Sequence, residues 1–224
     1  CKVFDYAAGS TGLSEAAAGR LGMTDILTVI NASPDKPGFM EGKLLVTKLT
    51  INAKTGRILG AQCIGPGNVA KQIAQWAMAI QGNLTLEDLI NADLPYAPPF
   101  SLAIDHFVAT AHIMQNKVKG RMKGITCKEV YEKVRAGEKP FIIDVRGPEE
   151  FEEMRLGIGE TLIPLGALRK RLGELPADKN REIVCYCKIS LRGYEAALAL
   201  EANGWKNVKV MEGGIMAWPY PREK

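Results

Sequence analysis

The period of the apolar positions changes several times along the first half of the chain. Lys2–Ala8 alternates weakly and predicts a strand. Ser10–Glu15 opens a helix, with Ser14 as N-cap, Glu15–Leu21 as an Ala-rich body and Gly22 just past its end. The β-branched run Ile26–Asn31 predicts a strand. Ser33–Gly42, with two Pro and two Gly, predicts a loop. Leu44–Asn52 and Ile58–Ile64 alternate on either side of an Ala53–Gly56 turn, which is a hairpin pattern, and Gly65-Pro66-Gly67 ends it. Val69, Ile73, Trp76, Ala77 and Ile80 fall at helical spacing and predict a helix over Val69–Gln81. Thr85–Asp88 starts a short second helix. Tyr96–Phe100, with adjacent prolines, is neither helix nor central strand, and Leu102–Met114 reads as helix. Strands followed by helices predict an α+β domain built on an antiparallel sheet.

The second half is patterned differently. Met114–Gly124 is polar and basic and reads as a linker. Thr126–Glu129 fits a capping box that starts a helix over Lys128–Ala136. Phe141–Val145 and Ile183–Tyr186 are continuous apolar runs of the kind found in buried parallel strands. Helices are predicted over Leu165–Leu172, with a basic face Arg169-Lys170-Arg171, and over Gly193–Asn203; Val208–Met211 is a further strand. Strands alternating with helices predict a small α/β domain with a parallel sheet. The expected division is a first domain at 1–115, a linker at 116–124 and a second domain at 125–224.

Composition narrows the classes. A hydrophobic fraction of 46% and a charged fraction of 24% are those of an ordinary globular protein. No apolar run approaches the roughly 20 residues that span a bilayer, and Cys1–Asp5 lacks the charged-then-apolar order of a signal peptide. The first residue is not Met, which suggests a processed chain or a fragment. The net charge of +4 is modest, and the cluster Lys117, Lys119, Arg121 and Lys123 reads as a solvated linker rather than a nucleic-acid surface. Five cysteines at irregular spacing, no CxxC and two His argue against a zinc site and for a reducing cytoplasm. No metal, nucleic acid or membrane partner is expected.

The chemistry concentrates in Ile183–Gly193. A buried strand runs into Cys187, and a helix follows at once, with Arg192 in its first turn. A loop this short turns several backbone N–H groups toward one point, which favours an anion such as a thiolate. Cys185, two residues earlier on the strand, reads as core, because a disulfide between i and i+2 is sterically poor. The pattern Cys-x4-Arg on its own also fits a buried Cys that does no chemistry.

The flanks add a resemblance. Cys187, Lys188, Ile189, Ser190, Leu191 and Arg192, followed by Gly193, resemble the six-residue active loop of single-domain rhodaneses. Phe141-Ile-Ile-Asp-Val-Arg-Gly-Pro-Glu-Glu-Phe151 is similar to the family segment Asp-Val-Arg-x-x-x-Glu-Phe/Tyr, and Ile163-Pro-Leu-Gly-Ala-Leu168 to its middle stretch. Val208-Lys-Val-Met-Glu-Gly-Gly-Ile-Met-Ala-Trp218 is similar to its terminal Leu-x-Gly-Gly-x-x-x-Trp. The resemblance implies that Cys187 forms a persulfide from a sulfane-sulfur donor and passes the sulfur to a thiol acceptor, with Asp144 and Arg146 bracing the loop. Related phosphatases use a longer Cys-x5-Arg loop, so the Cys187-x4-Arg192 spacing favours sulfur over phosphate or arsenate. Two departures stand out: Ser190 occupies a position where relatives often have Gly, and Arg155-Leu-Gly-Ile-Gly-Glu-Thr161 replaces Gly-His-Ile-Pro-Gly-Ala. They leave open a catalytically inactive rhodanese-like module that serves in binding or assembly.

The first half resembles the C-terminal dimerisation domain of pyridine nucleotide–disulfide oxidoreductases, in the coenzyme A-disulfide reductase and NADH oxidase branch. The matching stretches are Lys2-Val-Phe-Asp5, Ser10-Thr-Gly-Leu13, Lys54-Thr-Gly-Arg-Ile-Leu-Gly-Ala-Gln62 and Leu94-Pro-Tyr-Ala-Pro-Pro-Phe100. The resemblance implies a homodimer formed through residues 1–115, and FAD, NADH and coenzyme A as cofactors of a full-length reductase. No cofactor is expected in this chain, because no strand-GxGxxG-helix unit occurs and the flavin- and NADH-binding domains are missing. It further implies that Tyr96 contacts a coenzyme A-type thiol. His106 and His112 read as structural or exposed.

Overall fold

A computed structural model describes all 224 residues, which divide into two compact units, Cys1–Arg121 and Met122–Lys224. The first unit is built on a five-stranded sheet in the order β1-β2-β5-β4-β3, antiparallel throughout: β1 Lys2–Val3, β2 Tyr6–Gly12, β3 Ile26–Pro34, β4 Leu44–Asn52 and β5 Ile58–Gly65. Helix α1 (Glu15–Arg20) begins at Ser14, whose hydroxyl accepts from Ala17 N, and Gly22 takes the left-handed conformation just beyond its end. Helix α2 (Val69–Gln81) packs on β5 and β2. The fit is close enough that a Cβ on Gly9 would meet Ile73 Cγ1 at 2.8 Å. Helix α3 (Leu86–Ile90) has a complete capping box from Thr85 and Asp88. Helix α4 (His106–Val118) packs on β3, and the Trp76 and Phe107 rings, 4.2 Å apart, join it to α2.

Three expectations for this unit need correction. The strand predicted over Lys2–Ala8 is two strands joined by a turn, and the second runs on through Ser10 to Gly12, so the helix starts only at Glu15. Ser33 and Pro34 extend β3 rather than forming loop; β3 is the edge of the sheet, where a proline costs no ladder hydrogen bond. Helix α4 starts at His106, not Leu102, because Asp105 caps it. The Asp105 carboxylate accepts from Phe107 N at 2.9 Å and Gln72 Nε2 at 3.1 Å and pairs with Lys71 Nζ at 2.6 Å. Buried His106 hydrogen-bonds Ser33 Oγ at 2.6 Å and Thr47 Oγ1 at 2.8 Å, so its role is structural, while His112 is exposed. Burial lowers the His106 pKa to about 4, which keeps the imidazole neutral near pH 7.

The expected linker is partly helix. Helix α4 continues through Val118, with Met114 fully buried, and Lys117 donates to Thr28 O at 2.8 Å. Gly120, at φ +67°, ends it.

The second unit is a five-stranded parallel sheet in the order β6-β10-β9-β7-β8: β6 Gly124–Ile125, β7 Phe141–Asp144, β8 Thr161–Leu162, β9 Ile183–Tyr186 and β10 Val208–Met211. Its helices are α5 (Cys127–Arg135), α6 (Pro148–Glu153), α7 (Leu165–Leu168) and α8 (Leu191–Ala202). The capping box of α5 forms between Thr126 and Glu129. Ile125, Val130, Ile142, Val184, Met211, Ile215 and Trp218 share one core. Helix α7 is shorter than predicted and gives way to a 3₁₀ turn over Leu172–Glu174, where Arg171 leaves helical geometry and clamps Glu174. The two-residue strands β6 and β8 and helix α6 were not predicted; none is long enough to show a period. No helix of either unit is long and apolar enough to cross a membrane.

Candidate active site

Strands β7, β9 and β10 lie side by side and parallel, so their carboxyl ends open on the same edge of the second unit. Such an edge is where parallel sheets place their sites. The segments that leave it are Val145–Pro148 from β7, Cys187–Ser190 from β9 and Glu212–Gly214 from β10.

Cys187 follows β9 directly, and its residue is only 1% exposed. Lys188, Ile189 and Ser190 carry the chain to α8, which begins at Leu191, two residues earlier than its apolar pattern suggested. The early start places Arg192 and Gly193 in the first turn, where backbone N–H groups have no intrahelical acceptor. Gly193 is needed for close packing: a Cβ there would lie 3.2 Å from Cys185 O and from Tyr186 Cα. Lys188 and Leu191 are exposed, and Ile189 and Ser190 are half-buried.

Ser190 adopts the left-handed conformation, at φ +80°, that a glycine would take without strain. Its hydroxyl caps no N–H of α8; it donates to Met211 O at 2.8 Å, tying the loop to the end of β10. The left-handed cost of roughly 1 kcal/mol is thus opposed by a hydrogen bond worth about the same. Ser190→Gly relieves one and removes the other, so the stability of the second unit is expected to change by less than about 1 kcal/mol in urea unfolding. A loss well above that would mean that the hydroxyl holds the loop in place.

The Cys187 end of the loop is held from below by the Gly213-Gly214 turn. Ile215 N donates to Cys187 O at 2.9 Å and Met216 N to Lys188 O at 3.1 Å. Both glycines have positive φ, and a Cβ on Gly214 would sit 2.4 Å from Cys187 O. The terminal Gly-Gly motif is therefore a backbone-to-backbone support for the loop.

Arg192 is gripped by a residue that sequence reasoning passed over. Its two terminal nitrogens donate to Glu150 Oε2 at 2.7 Å and Oε1 at 2.8 Å, and Arg192 also faces Cys187. Glu150 sits in the first turn of α6, and Gly147 N donates to it at 3.2 Å. Chiefly because of Arg192, the Glu150 pKa is lowered to about 2. The signal was present in the motif Asp144-Val-Arg-x-x-x-Glu150, whose last member has no chemistry until the fold brings it against Arg192.

Asp144 and Arg146 form a buried pair with each other. Arg146 Nε lies 2.9 Å from Asp144 Oδ2 and a terminal nitrogen 2.6 Å from the same atom, with a further bond to Met154 O at 2.6 Å. Their link to the loop is indirect. Arg146 lies over the ring of Tyr186, 5.9 Å from its centroid, and Val145 N donates to Tyr186 O at 3.0 Å. Tyr186 OH in turn donates to Glu160 at 3.2 Å. Glu160 also accepts from Leu156, Gly157 and Ile158 N at 2.7–3.0 Å, so the altered segment Arg155–Thr161 is organised around its carboxylate.

The remaining cysteines lie elsewhere. Cys185 is fully buried, and burial raises its pKa; burial also pushes Cys127 up to about 12. All five thiols are free. No cluster of three or more His, Cys, Asp or Glu is placed to hold a metal. In the first unit Tyr96 is 53% exposed and lines a groove with Lys36, Lys71 and Phe100.

Comparison with known proteins accords with this geometry. Residues 1–108 match the pyridine nucleotide-disulphide oxidoreductase dimerisation domain, and residues 126–219 match the rhodanese-like domain. A putative sulfurtransferase of Bacillus subtilis, YtwF, is 35% identical over 102 residues, covering 43% of this chain and 90% of that protein. The reduced CoADR-RHD of Bacillus anthracis superposes with a TM-score of 0.86 at 34% identity, over 97% of this chain and 38% of that one. An NAD-dependent persulfide reductase from A. fulgidus superposes with a TM-score of 0.87 at 38% identity, over 98% of this chain and 38% of that one. This chain thus spans less than half the length of either reductase. At 35% identity over 90% of YtwF, the second unit belongs to the rhodanese-like family, and it follows a pyridine nucleotide-disulphide oxidoreductase dimerisation domain, the same pair of domains over which the chain superposes on CoADR-RHD and the persulfide reductase.

Proposed function

We propose that the second unit is a persulfide-forming sulfurtransferase module of a flavin-dependent coenzyme A-disulfide, persulfide or polysulfide reductase. The observation that carries this reading is the position of Cys187: it ends a buried parallel strand and enters a loop that closes on the first turn of α8, with Arg192 facing it. Anionic sulfur at that point meets backbone N–H groups at a helix start and a guanidinium.

The Cys187 thiolate attacks the outer sulfur of a sulfane donor. A new S–S bond forms, the donor's S–S bond breaks, and the leaving thiolate or sulfite takes the electron pair. The product, Cys187–S–S⁻, keeps its charge in the cradle. An acceptor thiolate then attacks the terminal sulfur, forms its own persulfide and returns Cys187 as thiolate. No net oxidation or reduction occurs in these two steps. FAD and NADH would be held by other parts of such a reductase.

Without an acceptor, thiosulfate should release one sulfite per chain in a single burst and then stop. Absence of a burst with thiosulfate, polysulfide and thiosulfonate alike would favour the second reading, an inactive binding or assembly module. The low exposure of Cys187 is the observation on that side.

For the first unit we propose a two-fold interface between copies of the chain, since its family is a dimerisation domain and it exposes Phe4, Met78, Tyr96, Phe100 and Ile104. Light scattering should give twice the chain mass of 24.4 kDa; a strict monomer at micromolar concentration contradicts the assignment. Tyr96, in this reading, contacts a coenzyme A-type thiol.

A further inference from the structure

The charge of the cradle points to a choice between donors. Arg192 is the guanidinium that faces Cys187, but it does not meet an incoming anion as a free cation. Both of its terminal nitrogens are engaged by one carboxylate, at 2.7 and 2.8 Å. That carboxylate is not an accident of a flexible side chain: Glu150 is fixed in the first turn of α6 and accepts Gly147 N as well. The pair is open to solvent, with about one third of each side chain exposed. Glu150 stays ionised throughout the neutral range. The Arg192 charge that faces Cys187 is therefore offset, where a bare arginine would draw doubly charged oxyanions more strongly.

We infer that Glu150 is a specificity-determining residue that disfavours dianionic sulfane donors, such as thiosulfate, relative to singly charged ones, such as thiosulfonates and organic persulfides. The inference rests on the sulfurtransferase reading above. A dianion reaching the loop must either displace Glu150 from Arg192 or bear its repulsion, and each added unit of donor charge increases that cost. The pair's partial exposure limits the effect to about tenfold.

Two donors of matched chemistry test it. With thiosulfate, Cys187 takes the outer sulfur and sulfite leaves; with methanethiosulfonate, it takes the corresponding sulfur and methanesulfinate leaves. Each forms Cys187–S–S⁻, and only the charge of the donor differs by one. In Glu150→Gln, which keeps the size and one acceptor for Arg192, kcat/KM for thiosulfate should rise about tenfold, mainly through KM, and that for methanethiosulfonate about threefold or less. A loss of structure lowers both donors together, so the ratio separates charge selection from folding. An unchanged or falling ratio, with transfer intact, overturns the role of Glu150 alone. The wild type supplies a measurement that needs no variant. Normalised to the reaction of each donor with N-acetylcysteine, its kcat/KM should be higher for methanethiosulfonate, and the reverse order overturns the inference. If neither donor places sulfur on Cys187 in the wild type, the sulfurtransferase reading itself falls.

Discussion

Cys187→Ser is expected to lower sulfur transfer by at least a thousandfold, to the rate of the uncatalysed reaction. A serine hydroxyl fits the space, but it is not ionised at neutral pH and cannot carry the sulfane sulfur between donor and acceptor. The same exchange at Cys185 should retain most of the activity. Cys185 lies two residues back on β9, fully buried, where it pairs in register with Ile143 and Val210 rather than entering the loop. Removing its sulfur costs core packing and inserts a hydroxyl into an apolar site, a destabilisation of about 1–3 kcal/mol. The two variants therefore separate chemistry from packing, when activity is read per folded molecule by initial rates with hydrogen exchange as the folding control. Full activity in Cys187→Ser, or an inactive but folded Cys185→Ser, would transfer the role to the wrong cysteine.

The second large effect is expected at a residue with no side chain. Gly214→Ala adds a Cβ at φ +59° that would approach Cys187 O to 2.4 Å and Lys188 O to 2.6 Å. Both obstacles are backbone atoms of the candidate active loop, so no rotamer change relieves them. Either the Gly213-Gly214 turn moves or the loop does. The turn's hydrogen bonds from Ile215 and Met216 to the same two carbonyls then break with it. Left-handed strain, steric overlap and two lost hydrogen bonds together should cost about 3 kcal/mol or more. Sulfur transfer should fall at least a hundredfold in the molecules that remain folded. Gly166→Ala is the control: nothing lies within 4 Å of its added Cβ, and a change above about 1 kcal/mol there is not expected. Amide exchange across Ile183–Tyr186 reads both variants in the second of the chain's two compact units.

What the sequence alone revealed followed the range of the interactions. Hairpin β4–β5, helix α2, the start of α3 and the capping box of α5 rest on contacts close in the chain, and their patterns predicted them closely. The start of α4 did not, because Asp105 caps the helix while bound to Lys71 and Gln72, more than thirty positions away in the chain. The same holds at the site. Cys187, Arg192 and the left-handed Ser190 were readable from a loop of fixed length. The bond from Ser190 to Met211, the Gly-Gly support and the grip of Glu150 on Arg192 join strands and helices brought together only by the parallel sheet. Asp144 and Arg146, expected to brace the loop, form a buried pair with each other, and Arg146 reaches toward the loop only through the ring of Tyr186.

One measurement bears most directly on the claim that sulfur is carried on Cys187. The protein is treated with polysulfide, excess reagent is removed, the persulfide is trapped by alkylation and the peptides are mapped by mass spectrometry. The peptide containing Cys187 should carry one additional sulfur atom, and that sulfur should disappear when a thiol acceptor is added before alkylation. Sulfur found instead on Cys1, Cys63, Cys127 or Cys185, or sulfur on Cys187 that no acceptor removes, would contradict the account.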